Sequence, residues 1–265
     1  MDKQSLLASI AESPEDRLLL ARIYDKISAG ERKNIPASTC FLTGREQLLA
    51  QRMIQKMGVA NTCFFGGTES AERQVLCYIP EYYEREYFLY EEDSPVAALR
   101  AEISDYDSLT HRDFLGGILA QGIRREVLGD IFVSKEYCDF LVLREMAPYL
   151  LQHLSSIGRA RVRLSQIPLK ELEVPEQKMK VIRDTVSTLR LDSVMASGFQ
   201  IGRSKAQTFI SAGKVEVNHG PVTKPDRMVS EGDVISCRGL GKMMVSQVNG
   251  QTKKGRTSVV LQKYL

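Results

Sequence analysis

Arg203, Ser204 and Lys205 follow Gly202 where an apolar pattern of helical spacing begins, with Ala206, Phe209 and Ile210 as its inward positions. The first N–H groups of a helix have no acceptor within it, and its dipole turns a partial positive charge toward them. Two cations and a hydroxyl at that point have the chemistry to hold a phosphate. Arg190 opens the preceding helical pattern of Leu189, Leu191, Val194 and Met195, which Gly198 is expected to end. Lys214 and Asn218 sit on the alternating strand after the second helix, a His219-Gly220 turn follows, and Lys224 and Arg227 flank the next turn. Together these residues predict an L-shaped basic surface for an RNA backbone. Asp192 is read as structural, paired with a nearby base or backbone. The competing reading for each lysine and arginine is a solvated surface.

Two further basic groups fit a secondary RNA surface. Arg159, Arg161 and Arg163 alternate with Ala160, Val162 and Leu164, and side chains two apart on a strand share a face. The three guanidiniums would face outward, as an ordinary solvated face or an RNA contact. Lys253, Lys254 and Arg256 are placed at the tip of a C-terminal hairpin turning at Asn249-Gly250, where they could touch phosphate or keep a sheet edge soluble.

Nothing comparable supports catalysis, a metal or a cofactor. The cysteines (Cys40, Cys63, Cys77, Cys138 and Cys237) are odd in number and widely spaced without a CxxC pair, and His111, His153 and His219 are far apart. That pattern fits neither a disulfide framework nor a zinc site. Gly66-Gly67 lacks the Lys-Ser/Thr of a P-loop and the third glycine of a dinucleotide loop, so it is read as a turn. The N-terminal stretch does not read as a secretory signal, and no apolar run reaches the roughly 18–20 residues needed to span a bilayer. The expectation is a cytoplasmic protein with no metal or cofactor. The net charge of +3 is uneven, +7 from residue 183 onward against −4 before it, which suggests a polyanionic partner for the C-terminal part.

The elements that must position these residues read as α+β. Ser13-Pro14-Glu15-Asp16 opens a helix with a cap, a proline at the first position and acids in the first turn; Gly30 is its expected stop. A short buried strand is expected at 39–43, a helix at 45–56 and a hairpin of 62–67 with 74–80. The aromatic stretch 78–90 suits a core or domain seam better than base stacking. From 96 the order strand (96–104), helix (109–122), strand (130–134), strand (138–143), helix (145–156), strand (159–167) fits a split βαβ, ferredoxin-like sandwich. RNA-recognition domains share this architecture, but RNA binding does not follow from it. Pro168 and Pro175 make 168–182 a linker running into a short helix. Three parts result: a small N-terminal α/β region (1–80), an RRM-like βαββαβ domain with linker (81–182), and a basic module with a C-terminal β-hairpin (183–265).

The run RLD at 190–192, GRSKA at 202–206, SAGKVEVN at 211–218, KP at 224–225 and EGDVI at 231–235 resembles the S4 RNA-binding domain nearly throughout. With LTHRDFLGGILAQGIRREVLGDIFV at 109–133, the chain is similar to the YlmH family of bacterial RNA-binding proteins. The resemblance implies a Gram-positive-type bacterial protein acting on the large ribosomal subunit in ribosome-associated quality control, near peptidyl-tRNA and 23S rRNA. It also implies genes that often lie near cell-division genes. His111, Arg112, Gly116, Arg124, Arg125, Gly129 and Asp130 match the family segment without a catalytic role, and the glycines suit buried turns and helix packing.

Three functions compete. The first is a non-catalytic, monomeric factor binding structured RNA (rRNA or tRNA, not DNA or membrane). The second is an RNA-modifying enzyme using S4 as a targeting arm, disfavoured because no catalytic domain follows S4 and no cofactor loop is visible. The third is a factor acting through protein partners, for instance in cell division.

Overall fold

The structure is a computed structural model and describes residues 2–91, 93–103, 109–175, 178–252 and 255–265. By its internal contacts the chain separates at Pro175/Glu176 into two compact units.

In the first unit, α1 (Lys3–Ala8), α2 (Pro14–Lys33) and α3 (Gly44–Met57) flank a small sheet of β1 (Ala37–Ser38), β2 (Thr62–Phe65) and β3 (Val75–Tyr78), in the antiparallel order β1-β3-β2. Ser13 caps α2 and accepts from Asp16 N at 3.1 Å, with Pro14 at the first position. Gly30 does not stop the helix. It is buried in the last turns, where a Cβ would lie 2.7 Å from Ala37 Cβ, and the stop falls to Asn34 in the left-handed conformation. The expected strand at 39–43 reduces to a single bridge from Leu42 to Gln74, and the short strand β1 lies just before it.

After α4 (Arg85–Tyr90) come β4 (Val96–Ile103), α5 (His111–Leu119), β5 (Leu128–Val133), β6 (Tyr137–Leu143), α6 (Ala147–His153), β7 (Ser156–Ile157) and β8 (Ala160–Ile167). The sheet order β5-β6-β4-β8-β7, antiparallel throughout, is the expected split βαβ arrangement with a short added strand. Alternation assigns the layers. Ala97, Leu99, Ala101, Phe140 and Val142 pack under α5 and α6. Val96, Ala98, Leu141 and Leu143 face the other way, onto Phe65, Val75 and Cys77 of the small sheet, whose opposite face (Leu76, Tyr78) meets the N-terminal helices. The sheet face away from α5 and α6 is therefore partly built over. Gly129 sits at this seam, where a Cβ would lie 2.8 Å from Phe41; Gly116 has open space and needs no glycine for packing. The aromatic stretch divides: Tyr78, Phe88 and Leu89 are buried, while Tyr82, Tyr87 and Tyr90 are exposed.

The second unit holds β9 (Met179–Val186), α7 (Leu191–Gly198), α8 (Arg203–Ser211), β10 (Val215–Val217), β11 (Gly220–Val222), β12 (Val234–Cys237), β13 (Gly241–Gln251) and β14 (Thr257–Tyr264). Its antiparallel sheet runs β11-β10-β12-β13-β14-β9, with α7 and α8 packed on it through Leu191, Val194, Met195, Ala206 and Ile210. Two expectations are corrected. The segment expected to enter a short helix forms β9, paired with β14 from Met179↔Tyr264 to Val186↔Thr257. Its exposed Met179 and Val181 alternate on one face and give no helical stripe. Asn249-Gly250 lies within β13 rather than at the hairpin turn, which falls where Thr252 N bonds Arg256 O. Lys253 and Lys254 lie outside the described residues.

Candidate nucleic-acid interface

Two basic residues of the second unit, Arg190 and Arg203, are organised by a carboxylate. Asp192, in the first turn of α7, is fully buried. Its Oδ1 accepts from Arg190 Nε at 3.2 Å and Arg203 Nη2 at 3.2 Å; its Oδ2 accepts from Arg190 Nη2 at 3.2 Å and Gln207 Nε2 at 2.8 Å. The two guanidiniums, from the starts of two helices, are held side by side on one anion. Burial pushes the Asp192 carboxyl up, and the bonds from Arg190, Gln207 and Arg203 overcome it and bring it down to about 2. The same bonds keep Arg190 protonated, its pKa raised first by Asp192.

The two helix starts differ. Leu191 N donates to Arg227 O at 2.8 Å and Asp192 N to Pro225 O at 3.1 Å, so the 224–228 loop closes the start of α7. This contact brings the segment of Lys224 and Arg227 beside Arg190. The start of α8 is open. Gly202 caps it without a side chain, the first turn holds no acid, and the first amide bonded back into the helix is that of Ala206. Arg203, Ser204 and Lys205 are all exposed there, so this end brings together N–H groups that bond no acceptor among the described residues, two cations and a hydroxyl.

Lys214 stands apart, past the far end of α8. Its Nζ lies 5.6 Å from the centre of the Phe209 ring, and its carbonyl accepts from Arg238 N at 2.9 Å. Asn218 is not free to reach outward. It has φ +51 at the tip of the β10–β11 hairpin, donates to Asp233 Oδ1 at 2.8 Å and accepts from Val234 N at 2.8 Å. The turn is formed by Asn218 and His219, both with positive φ, one residue earlier than expected. Arg256 is exposed, with Nη2 donating to Thr185 O. In the first unit, Arg161 and Arg163 are exposed on β8 opposite buried Val162, whereas Arg159 falls in the turn with Gly158 between β7 and β8. Sequence reasoning missed Gln207 and Arg238. Gln207 could have been found, because it lies four residues after Arg203 on the same helix face.

Among the described residues, no group of three or more His, Cys, Asp or Glu is placed to hold a metal ion, and no helix is long and apolar enough to cross a membrane.

Residues 101–171 match the family model described as "Putative RNA-binding domain in YlmH", and residues 189–235 match the S4 domain model. The chain is 34% identical over 226 residues to the ribosome-associated protein quality control protein P2 of Bacillus subtilis, covering 85% of this chain and 86% of that protein. It also resembles the solved structure of the cell division protein ylmH from Streptococcus pneumoniae. There the TM-score is 0.50 and the identity 26%, covering 62% of this chain and 98% of the other. These names point to RNA-binding and quality-control factors. The chain is an α+β protein with a C-terminal S4 domain, and it belongs to the YlmH family of ribosome-associated quality control protein P2.

Proposed function

We propose that this protein is a non-catalytic factor that binds structured RNA on the large ribosomal subunit, rRNA or tRNA, in ribosome-associated quality control. The observation that carries the reading is the fixed pair Arg190 and Arg203 on buried Asp192 beside the open start of α8 with Ser204 and Lys205. Fixed guanidiniums lose little freedom on meeting a phosphate, and an uncapped helix start adds backbone donors. Lys224 and Arg227 extend this surface; Lys214, with Arg238, forms a second basic point at the other end of α8. Asn218 contributes by holding the hairpin. The Bacillus relative's name supplies the ribosomal and quality-control setting.

The test is Arg203→Ala/Lys205→Ala, measured for binding to a folded ribosomal RNA hairpin across salt. Each lost phosphate contact should flatten the log–log salt slope by roughly 0.7–0.9, so the double variant should lose up to about twice that and no longer migrate with large subunits in sedimentation. Unchanged affinity and slope would reject the site. A second reading, action mainly through protein partners in cell division, is favoured by the name of the streptococcal structure. Co-purification with division proteins, together with unaltered ribosome migration in the double variant, would select it.

A further inference from the structure

In the first unit a cavity of about 720 Å3 opens between α2, the 38–43 segment and the β4–β6 end of the larger sheet. Small-molecule sites commonly span roughly 300–1,000 Å3. One wall is apolar, made by Leu19, Ile23, Phe41 and Leu143, and five cations line the rest: Arg22, Lys26, Arg73, Arg125 and Arg144. Among the described residues none of the five is in an ion pair. Four carboxylates also line it and keep their charges, Glu46 acting on Arg73, and three of them hold hydrogen bonds or ion pairs with other groups. Glu46 takes the amide and hydroxyl of Thr43, Asp93 accepts from the Tyr83 hydroxyl, and Glu126 pairs with Arg124 at 3.0 Å. Glu145 is the fourth.

Arg73 and Arg125 stand at the centre of this imbalance. Arg73 donates from Nε to Leu128 O at 3.0 Å and from Nη2 to Phe41 O at 3.3 Å; Arg125 donates from Nη1 to Leu128 O and Gly129 O. The shared carbonyl of Leu128 thus fixes the two guanidiniums next to each other without neutralising either. Asp130, whose charge both feel, has its oxygens on the amides of Glu72 (2.6 Å) and Arg73 (3.2 Å). Burial, with Arg73 alongside, brings Arg125 down to about 10, and burial also lowers Arg73. Arg73 Nη1 and Arg125 Nε and Nη2 make no hydrogen bond to the described residues. Half-buried cations of like sign with spare donors suit an anion, and bidentate donors suit phosphate. Five cations against four carboxylates leave the lining with a formal excess of one positive charge, which suits an anion, and the apolar wall suits an attached flat body.

We propose that this cavity binds a nucleoside phosphate, with the phosphate on Arg73 and Arg125, supplied as a free mononucleotide or as the phosphorylated end of an RNA strand. The proposal rests on the first unit alone and stands or falls independently of the interface on the second.

The test uses the full chain stripped of nucleic acid in high salt. Calorimetric titrations are run with AMP, GMP, CMP and UMP, with their unphosphorylated nucleosides, and with a tetraribonucleotide bearing a 5′-phosphate or a 5′-hydroxyl. Saturable one-to-one binding that requires the phosphate is expected. Arg125→Gln should weaken it at least tenfold. So should Arg22→Glu/Lys26→Glu, whose exposed positions on α2 leave the fold intact, whereas Arg203→Ala/Lys205→Ala should not change it. Binding of free mononucleotides assigns a small ligand; binding confined to the 5′-phosphorylated oligomer assigns an RNA end. The proposal is overturned by absence of phosphate-dependent binding, by binding that Arg22→Glu/Lys26→Glu leaves unchanged, or by binding that only the Arg203→Ala/Lys205→Ala variant loses.

Discussion

Replacing Asp192 by Asn removes a negative charge from the surface proposed to meet RNA, so charge counting predicts tighter RNA binding. The geometry predicts the opposite, and magnitudes decide between them. A unit charge about 6 Å from a phosphate in water is worth about 0.7 kcal/mol before salt screening. Against this, Arg190 and Arg203 lose the carboxylate that holds both. Re-ordering a long side chain on binding costs about 0.5–1.5 kcal/mol, so two cost about 1–3 kcal/mol. The net expectation is roughly 0.3–2.3 kcal/mol weaker binding, about 2–50-fold. Stability falls as well. The folded carboxyl titrates at about 2 against an ordinary 3.8, equivalent to roughly 2 kcal/mol. Because the folded value is the lower one, this contribution is complete above 3.8 and is lost as pH falls toward 2. Urea unfolding should therefore separate the variant from the parent at pH 7 and bring them together near pH 2. Anisotropy titrations with a ribosomal RNA hairpin between 50 and 200 mM salt, concentrations at which phosphate contacts weigh heavily, read the binding. Affinity equal to or above the parent's would refute the idea that Asp192 orients the arginines.

Gly198→Ala should destabilise the second unit by about 1–3 kcal/mol, because its Cβ would lie 2.1 Å from Met243 Sδ and 3.0 Å from Leu261 Cδ1; denaturant midpoints followed by circular dichroism check it. Asp16→Asn should cost the first unit about 1–2 kcal/mol at pH 7, allowing for the partial exposure of Arg45. The hydrogen bonds from Arg45, at 2.6 and 2.8 Å, hold the Asp16 carboxyl down to about 2, so the difference should vanish between pH 3.8 and 2. Arg161→Ala/Arg163→Ala should flatten the salt slope of RNA binding by roughly 1.4–1.8 if both contact phosphate; an unchanged slope leaves them as a solvated face.

Local physics made much of this molecule readable. Ser13-Pro14 marks a helix start because caps act within a few residues. The βαββαβ order was legible because its strands and helices carry distinct periods. Failures came where distant partners decide. Gly30 reads as a stop but is required by the approach of Ala37. Asn249-Gly250 reads as a turn, yet pairing with β14 carries β13 through it. The 179–186 segment, half apolar and half polar, becomes a strand because β14 supplies its hydrogen bonds. In the site, Arg190, Arg203, Ser204 and Lys205 could be marked from helix starts alone. The shared use of Asp192 required knowing that α7 and α8 pack side by side.

That shared carboxylate also explains why the two helix starts differ. At α7, two amides are taken by the carbonyls of Pro225 and Arg227, and the acid in the first turn points to arginines instead of capping its own helix. At α8, no acid or cap intervenes. If Asp192 instead stood in the first turn of α8, it would occupy the amides and neutralise the cations an incoming phosphate needs. Placed one helix away, it fixes Arg203 from behind while the end of α8 stays open. The acid that lowers the unit's net charge thus leaves the start of α8 unobstructed.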